Sequence, residues 1–225
     1  MTASQSRATR WSTPSKPTMA VAATSTVLSD LDLRPGEFDL LTAHRAENVD
    51  NHDRFESNFE GVATATNRGQ TEVVYPIHPR AQDRLDEFGV DVPDPIRTVE
   101  PLDFFDFLRL KSTTELAFTD SGGVQEETRI LGTPCVTLRY GTERPETAFV
   151  GANCIAGRRP DAIVAGAEIM RSKSGDWSPP SATATPPSTS STTSGSSDAT
   201  ARPTPRPASS YRSPRGATRE PAPCY

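Results

Sequence analysis

Short apolar runs alternate with stretches of helical spacing through the middle of the chain. The runs fall at Glu37–Ala43, Thr71–Ile77, Arg97–Val99, Leu116–Thr119, Pro134–Leu138 and Ala152–Ala156. Each is too short for a core helix and is bounded by turn residues, so each reads as a buried strand. Between them, Phe55, Phe59 and Val62 fall on one face of a helix over Asn51–Asn67. Arg80–Phe88 predicts a short helix stopped by Gly89, and Phe104–Lys111 an aromatic one. Another opens at residue 121. A short helix begins at Thr142–Glu146, where first-turn Pro145 is tolerated. A last helix spans Asp161–Arg171, with Ile163, Val164, Ala167 and Met170 apolar. Strand and helix alternate about six times, which predicts an α/β fold: a doubly wound parallel sheet with helices on both faces.

The stretch 115–131, Glu-Leu-Ala-Phe-Thr-Asp-Ser-Gly-Gly-Val-Gln-Glu-Glu-Thr-Arg-Ile-Leu, holds the most suggestive turn. Ser121 is placed to cap the helix that follows. Gly122 and Gly123 carry no Cβ, so a bulky group can approach the backbone. The first helical amides and the positive end of the helix dipole then converge on one spot suited to a phosphate or diphosphate. Neither the third glycine of a dinucleotide fingerprint nor a Gly-Lys-Ser/Thr is present. An ordinary capped strand–turn–helix accounts for the turn about equally well.

Composition divides the chain. Residues 178–225 contain ten prolines and nineteen Ser or Thr, and residues 1–18 have few apolar groups. Such segments cannot bury enough apolar area to offset their ordering entropy, which predicts a disordered leader and connector over 1–36 and a disordered tail over 177–225. The remaining domain, 37–176, is acidic. Over residues 19–177 there are 27 acidic and 16 basic side chains, a net of −11. That balance argues against nucleic acid as a partner. No apolar run reaches the ~18 residues that suggest a membrane span. Cys135, Cys154 and Cys224 show no metal-ligand spacing. The expectations are a cytoplasmic protein, no membrane partner, no metal and no cofactor.

Ligands of such sheets bind beyond the carboxyl ends of the strands. His44, His78, Ser121 and the Thr142–Arg144 segment all fall there. Each has a plainer reading. Phe104, Phe107 and Leu108 read first as core. Glu126 reads as solvated, Arg144 as a local ion pair with Glu143 or Glu146, His78 as a helix cap and His52 as an exposed helix start.

Five motifs occur in order: Thr42-Ala-His-Arg-Ala-Glu-Asn-Val, Val74-Tyr-Pro-Ile-His-Pro, Glu100-Pro-Leu-Asp-Phe-Phe-Asp-Phe, Thr119-Asp-Ser-Gly-Gly-Val-Gln-Glu-Glu with Leu131-Gly-Thr-Pro, and Thr142-Glu-Arg-Pro-Glu. Together, over roughly residues 37–175, they resemble the non-hydrolysing UDP-N-acetylglucosamine 2-epimerases. The resemblance implies the C-terminal Rossmann-like domain of a glycosyltransferase-B type fold. It implies interconversion of UDP-N-acetylglucosamine and UDP-N-acetylmannosamine, by elimination of UDP and its readdition. It places the diphosphate at Ser121, Gly122 and Gly123, the ribose hydroxyls at Glu127, the uracil beside Phe107, and Arg144 at the diphosphate or its loop. His44 and Glu47 become the candidates for proton handling, and Arg45 and His78 substrate contacts. Family members carry a further N-terminal domain that supplies carboxylates for the C2 proton, and nothing before Glu37 reads as one. A fragment weak or inactive alone is therefore expected. The alternatives are a non-catalytic UDP-sugar binding module or half of a split epimerase, and a homodimer or a separately encoded N-terminal half remain open as partners.

Overall fold

Six parallel strands form one sheet: β1 (Phe38–Thr42), β2 (Glu72–Pro76), β3 (Ile96–Val99), β4 (Leu116–Thr119), β5 (Cys135–Thr137) and β6 (Asn153–Ile155). The computed structural model describes residues 15–173, 175 and 177. Strand order is β3-β2-β1-β4-β5-β6. The chain builds outward from β1 through β2 to β3, then returns to lay β4 on the other side of β1, pairing Leu40 with Ala117 and Thr42 with Thr119. The order therefore reverses between β1 and β4, and a crevice opens at that point above the carboxyl ends.

Alternation along the strands sends side chains to two cores. Leu41, Val73, Tyr75, Leu116 and Phe118 point to one face. They meet Phe55, Phe59 and Val62 of α4 (His52–Gly69), Ala81 and Leu85 of α5 (Pro79–Phe88), and Ile163, Ala167 and Met170 of α9 (Pro160–Arg171). Phe38, Leu40 and Val74 point to the other face, towards Leu110 of α6 (Phe104–Thr113). Both faces are covered, which is why the strands read as nearly continuous apolar runs rather than alternating ones. The helix α7 (Gly122–Leu131) follows β4. Short helices α3 (Ala46–Val49) and α8 (Pro145–Phe149) follow β1 and β5.

Local chemistry sets the boundaries. Asn51 caps α4 by accepting from the Arg54 amide at 3.0 Å, and Asp103 caps α6 by accepting from the amides of Phe105 and Asp106. Gly89 and Gly132 end α5 and α7 at φ +63° and +79°, a region open to glycine at little cost. Cys135 is buried in β5 as expected of a small hydrophobe, and burial pushes its thiol up to about 12.

The expectation of a disordered leader and connector over 1–36 is corrected from residue 15 onward. Two helices, α1 (Lys16–Ala22) and α2 (Val27–Asp30), lie there. Val27 and Leu33 are buried against Phe38, Leu40, Val74 and Leu110, and Ser25 donates a hydrogen bond to Asp106 of α6. Without this segment the second face of β1 and β2 would be partly bare. The disordered stretch expected before residue 15 and the tail expected beyond Trp177 lie outside the described residues. Among the described residues no helix is long and apolar enough to cross a membrane, and no group of three or more His, Cys, Asp or Glu is placed to hold a metal ion.

Candidate functional site

The turn between β4 and α7 sits at the crevice. Ser121 occupies the N-cap position with extended backbone, φ −95° and ψ 123°, but its hydroxyl makes no capping bond. The capping expectation is corrected: the side chain lines the crevice instead of folding over the helix, while the Ser121 amide donates to Thr119 Oγ1 at 3.0 Å. The Gln125 amide is the first to reach back to the Ser121 carbonyl, at 3.1 Å. The amides of Gly122, Gly123 and Val124 precede it, so the helix does not use them and no side-chain cap covers them. A Cβ on Gly122 would stand 3.3 Å from Glu143 Oε2, so the turn is closed on that side. A Cβ on Gly123 would meet nothing nearer than Ser121 Oγ at 3.8 Å. The opening is at Gly123.

A cleft of ≈ 360 Å³ lies over these groups. Thr42 and His44 enter it at and beyond the end of β1, Pro76 and His78 at and beyond the end of β2, Leu102 beyond β3 and Ser121 beyond β4. Helix α6 contributes Phe107 and Lys111, and α7 contributes Gly123 and Glu127. At its floor Thr42 and Thr119 share a hydroxyl hydrogen bond of 2.6 Å across the point where strand order reverses. Phe107 packs against the smaller core, as its plain reading had it, and also lines the cleft.

Lys111 is the residue that sequence reasoning passed over. Its side chain is 2% exposed, its Nζ lies 4.4 Å from the centre of the Phe107 ring, and it donates a hydrogen bond to Glu127 Oε2. Burial lowers its pKa, and the charge and hydrogen bond of Glu127 oppose that shift. The available signal was its position four residues after Phe107, on the same helical face.

His44 leans on a buried carboxylate. Asp120 is fully buried, and its Oδ2 accepts from the amides of His44 (3.0 Å) and Arg45 (2.9 Å) and from Asn48 Nδ2 (3.1 Å). His44 Nδ1 stands 3.6 Å from Asp120 Oδ1. The imidazoles of His44 and His78 stack with centroids 5.8 Å apart. His78 caps α5, as its plain reading had it, with Nδ1 accepting from the Arg80 amide at 3.2 Å, and it lines the cleft as well. His52 is an exposed helix-start residue.

Three further expected site residues stand beside the cleft without lining it. Arg45 pairs with Glu143 at 3.2 Å. Glu47 is held by Arg139, which also grips Glu143 at 2.8 Å. Chiefly because Arg139 hydrogen-bonds it, Glu143 is drawn down to about 2. Arg144 pairs with Glu126 at 3.0 Å, not with Glu143 or Glu146, so Glu126 is an ion-pair partner and not merely solvated. Exposed pairs of this kind contribute little to stability. Their effect here is to order the 139–144 loop above Gly122. That loop is tied to α7 from below as well, since the Thr142 hydroxyl donates to the side-chain oxygen Oε1 of buried Gln125.

Residues 12–192 match a family model described as UDP-N-acetylglucosamine 2-epimerase, a span wider at both ends than the motifs cover. The UDP-N-acetylglucosamine 2-epimerase of Methanocaldococcus jannaschii is 43% identical over 148 residues, 64% of this chain and 40% of that protein. The UDP-2,3-diacetamido-2,3-dideoxy-D-glucuronate 2-epimerase of Pseudomonas aeruginosa is 36% identical over 140 residues, 61% of this chain and 38% of that one. Among solved structures, the M. jannaschii UDP-GlcNAc 2-epimerase in complex with UDP-GlcNAc and UDP superposes with a TM-score of 0.67 at 38% identity, covering 73% of this chain and 47% of that one. The chain thus spans less than half the length of these relatives.

Proposed function

The chain belongs to the UDP-N-acetylglucosamine 2-epimerase family, and from that premise we propose that its cleft binds the UDP moiety of a UDP-N-acetylglucosamine-type sugar nucleotide for epimerisation at C2. The diphosphate sits on the Ser121–Gly123 turn and the amides of the first turn of α7. Glu127, with Oε2 held by Lys111, keeps Oε1 for the ribose hydroxyls. Uracil lies against Phe107. His44 faces the diphosphate and sugar, with His78 stacked beside it. Arg144 and Arg45 act through the loop over Gly122, where their ion pairs hold Glu126 and Glu143 in place.

Anchoring the departing diphosphate is the part of an elimination and readdition that this geometry serves. Fixed amide dipoles aimed at a developing anion in a sheltered site stabilise it without reorganisation. Glu47, with its carboxylate on Arg139, reaches proton chemistry only by leaving that pair. His44 is then the principal proton carrier on this wall of the cleft. The site of action is the cytoplasm, where the family's sugar nucleotides are used.

One observation carries the reading: uncapped first-turn amides, an open glycine and a histidine meet in one cleft where strand order reverses. Titration calorimetry of the 225-residue chain with UDP tests it. UDP binds, uridine binds far more weakly, and Ser121→Trp, which fills the turn, abolishes binding. Equal binding of UDP and uridine would remove the diphosphate assignment. The coverage of less than half of each relative favours a second reading, a UDP-sugar binding half that works with a complementary half or a second copy. Size-exclusion chromatography with light scattering separates those two partners.

A further inference from the structure

Asp120 is fully buried yet uses only one of its two oxygens. Oδ2 accepts three N–H donors, from His44, Arg45 and Asn48. Oδ1 is buried and makes no hydrogen bond. A buried carboxylate oxygen without a hydrogen-bond partner is costly, so such an atom calls for an explanation. The ring of His44 offers it a donor position, with Nδ1 3.6 Å away, just beyond hydrogen-bond range. The carboxylate cannot turn aside, because three donors hold its other oxygen. The histidine cannot retreat far, because its own amide is one of those donors and its ring is stacked on His78.

We propose that Asp120 is the positioning residue for His44: its Oδ1 holds the proton of neutral His44 on Nδ1, leaving Nε2 as an unprotonated acceptor facing the cleft. The contact closes to a hydrogen bond when a sugar nucleotide fills the cleft, as contacts of this kind tighten on complex formation. The same logic orders a catalytic imidazole by a buried aspartate in hydrolases, where the amide replacement leaves the geometry intact and yields the wrong tautomer. His78 is set the opposite way. Its Nδ1 accepts from the Arg80 amide, so its neutral form carries the proton on Nε2. The two stacked imidazoles therefore present unlike edges to the cleft, His44 an acceptor and His78 a donor. That asymmetry suits a site that must take a proton from one place and hold an oxygen in another. The inference deepens the role given to His44 above and rests on that reading for its purpose, though not for its geometry.

The chain has three histidines, so long-range proton–nitrogen NMR of the ¹⁵N-labelled full chain, at a pH where all are neutral, resolves each tautomer. His44→Gln and His52→Gln assign the signals. The expected result is His44 as the Nδ1–H tautomer, more strongly so with UDP bound, and His78 as Nε2–H throughout. In Asp120→Asn the amide keeps an oxygen for the three donors and turns its NH₂ to the ring, which reverses His44 to Nε2–H. Wild-type His44 found as Nε2–H both with and without UDP would overturn the proposal, and needs no variant to fold. A folded Asp120→Asn whose His44 tautomer is unchanged would overturn it too. A chain that binds no UDP but shows His44 as Nδ1–H would sink the functional reading and leave this one standing.

Discussion

Lys111, with 2% of its side chain exposed, is held in the cleft by two neighbours, the Phe107 ring and the Glu127 carboxylate. Lys111→Met keeps the stem and removes the charge. Glu127 then loses the donor that orients it, and a hydrogen bond to a charged group is worth about 1.5–3 kcal/mol. UDP affinity is expected to fall roughly tenfold or more on that scale, whereas the affinity for 2′,3′-dideoxy-UDP, which offers Glu127 nothing, falls much less. Equal losses for both ligands in calorimetry would assign Lys111 a general electrostatic role instead. A second residue-scale prediction concerns acid. Glu143 is drawn from 4.5 to about 2, chiefly by its hydrogen bonds from Arg139. A depressed carboxylate contributes stability that is present above pH 4.5 and lost as pH falls towards 2. The amides of residues 139–144 should lose hydrogen-exchange protection across that window, and Glu143→Gln should remove that pH dependence. At this scale the sequence was legible where a residue type has one use. Histidines beyond strand ends and glycines after a serine could be read directly. The partners of Arg144 and Glu47 could not, because several carboxylates lie within reach of each long side chain and only folding decides among them.

Helix α7 separates what the fold needs from what the ligand needs. Gly123 is not in a left-handed conformation, and a Cβ there has ordinary room. Gly123→Ala should therefore raise stability slightly, by about 0.5–1 kcal/mol, since alanine loses less chain entropy than glycine. The same methyl group projects beside the first-turn amides, so UDP affinity should drop by more than tenfold. Thermal melts and calorimetry on one sample read both effects. A loss of stability would mean the turn is tighter than its geometry indicates. Gly61 is the contrasting case in α4. A Cβ there would lie 2.8 Å from Ile163 Cδ1 and 3.0 Å from the backbone of Pro160, where α4 and α9 pack. Gly61→Ala should destabilise by about 1–3 kcal/mol through overpacking and leave UDP affinity unchanged in the folded fraction. The elements around the main core were legible because burial imposes an apolar pattern on their sequence: β4 and α9 fall within a residue of their expected bounds. Helices α1 and α2 were not, because two short helices carry no full period. Their anchors, Val27 and Leu33, mean something only once Phe38, Leu40 and Leu110 are seen beneath them.

For the molecule as a whole, the question is how much of an epimerisation one wall of a cleft can perform. Elimination of UDP from C1 and its readdition there invert C2 only if the C2 proton leaves one face of the sugar and a proton arrives on the other. Among the described residues lining the cleft, the titratable side chains are His44, His78, Lys111 and Glu127. Lys111 and Glu127 occupy each other, and the Nδ1 of His78 is taken by the Arg80 amide. On the proposed reading that leaves His44 to move a proton, where two groups on opposite sides are wanted. A missing general acid or base typically costs 10²–10⁴ in rate. The chain also spans only 40–47% of the M. jannaschii relatives, so the second set of groups has ample room to reside in the part not matched. The 225-residue chain should therefore bind UDP and UDP-N-acetylglucosamine while neither converting the sugar at ordinary enzyme rates nor exchanging its C2 hydrogen with D₂O. Proton NMR of the substrate in D₂O reads both at once. Exchange without epimer would mean that His44 reaches C2 from this wall alone. Full turnover would mean that a second copy, or residues outside those described, closes the cleft.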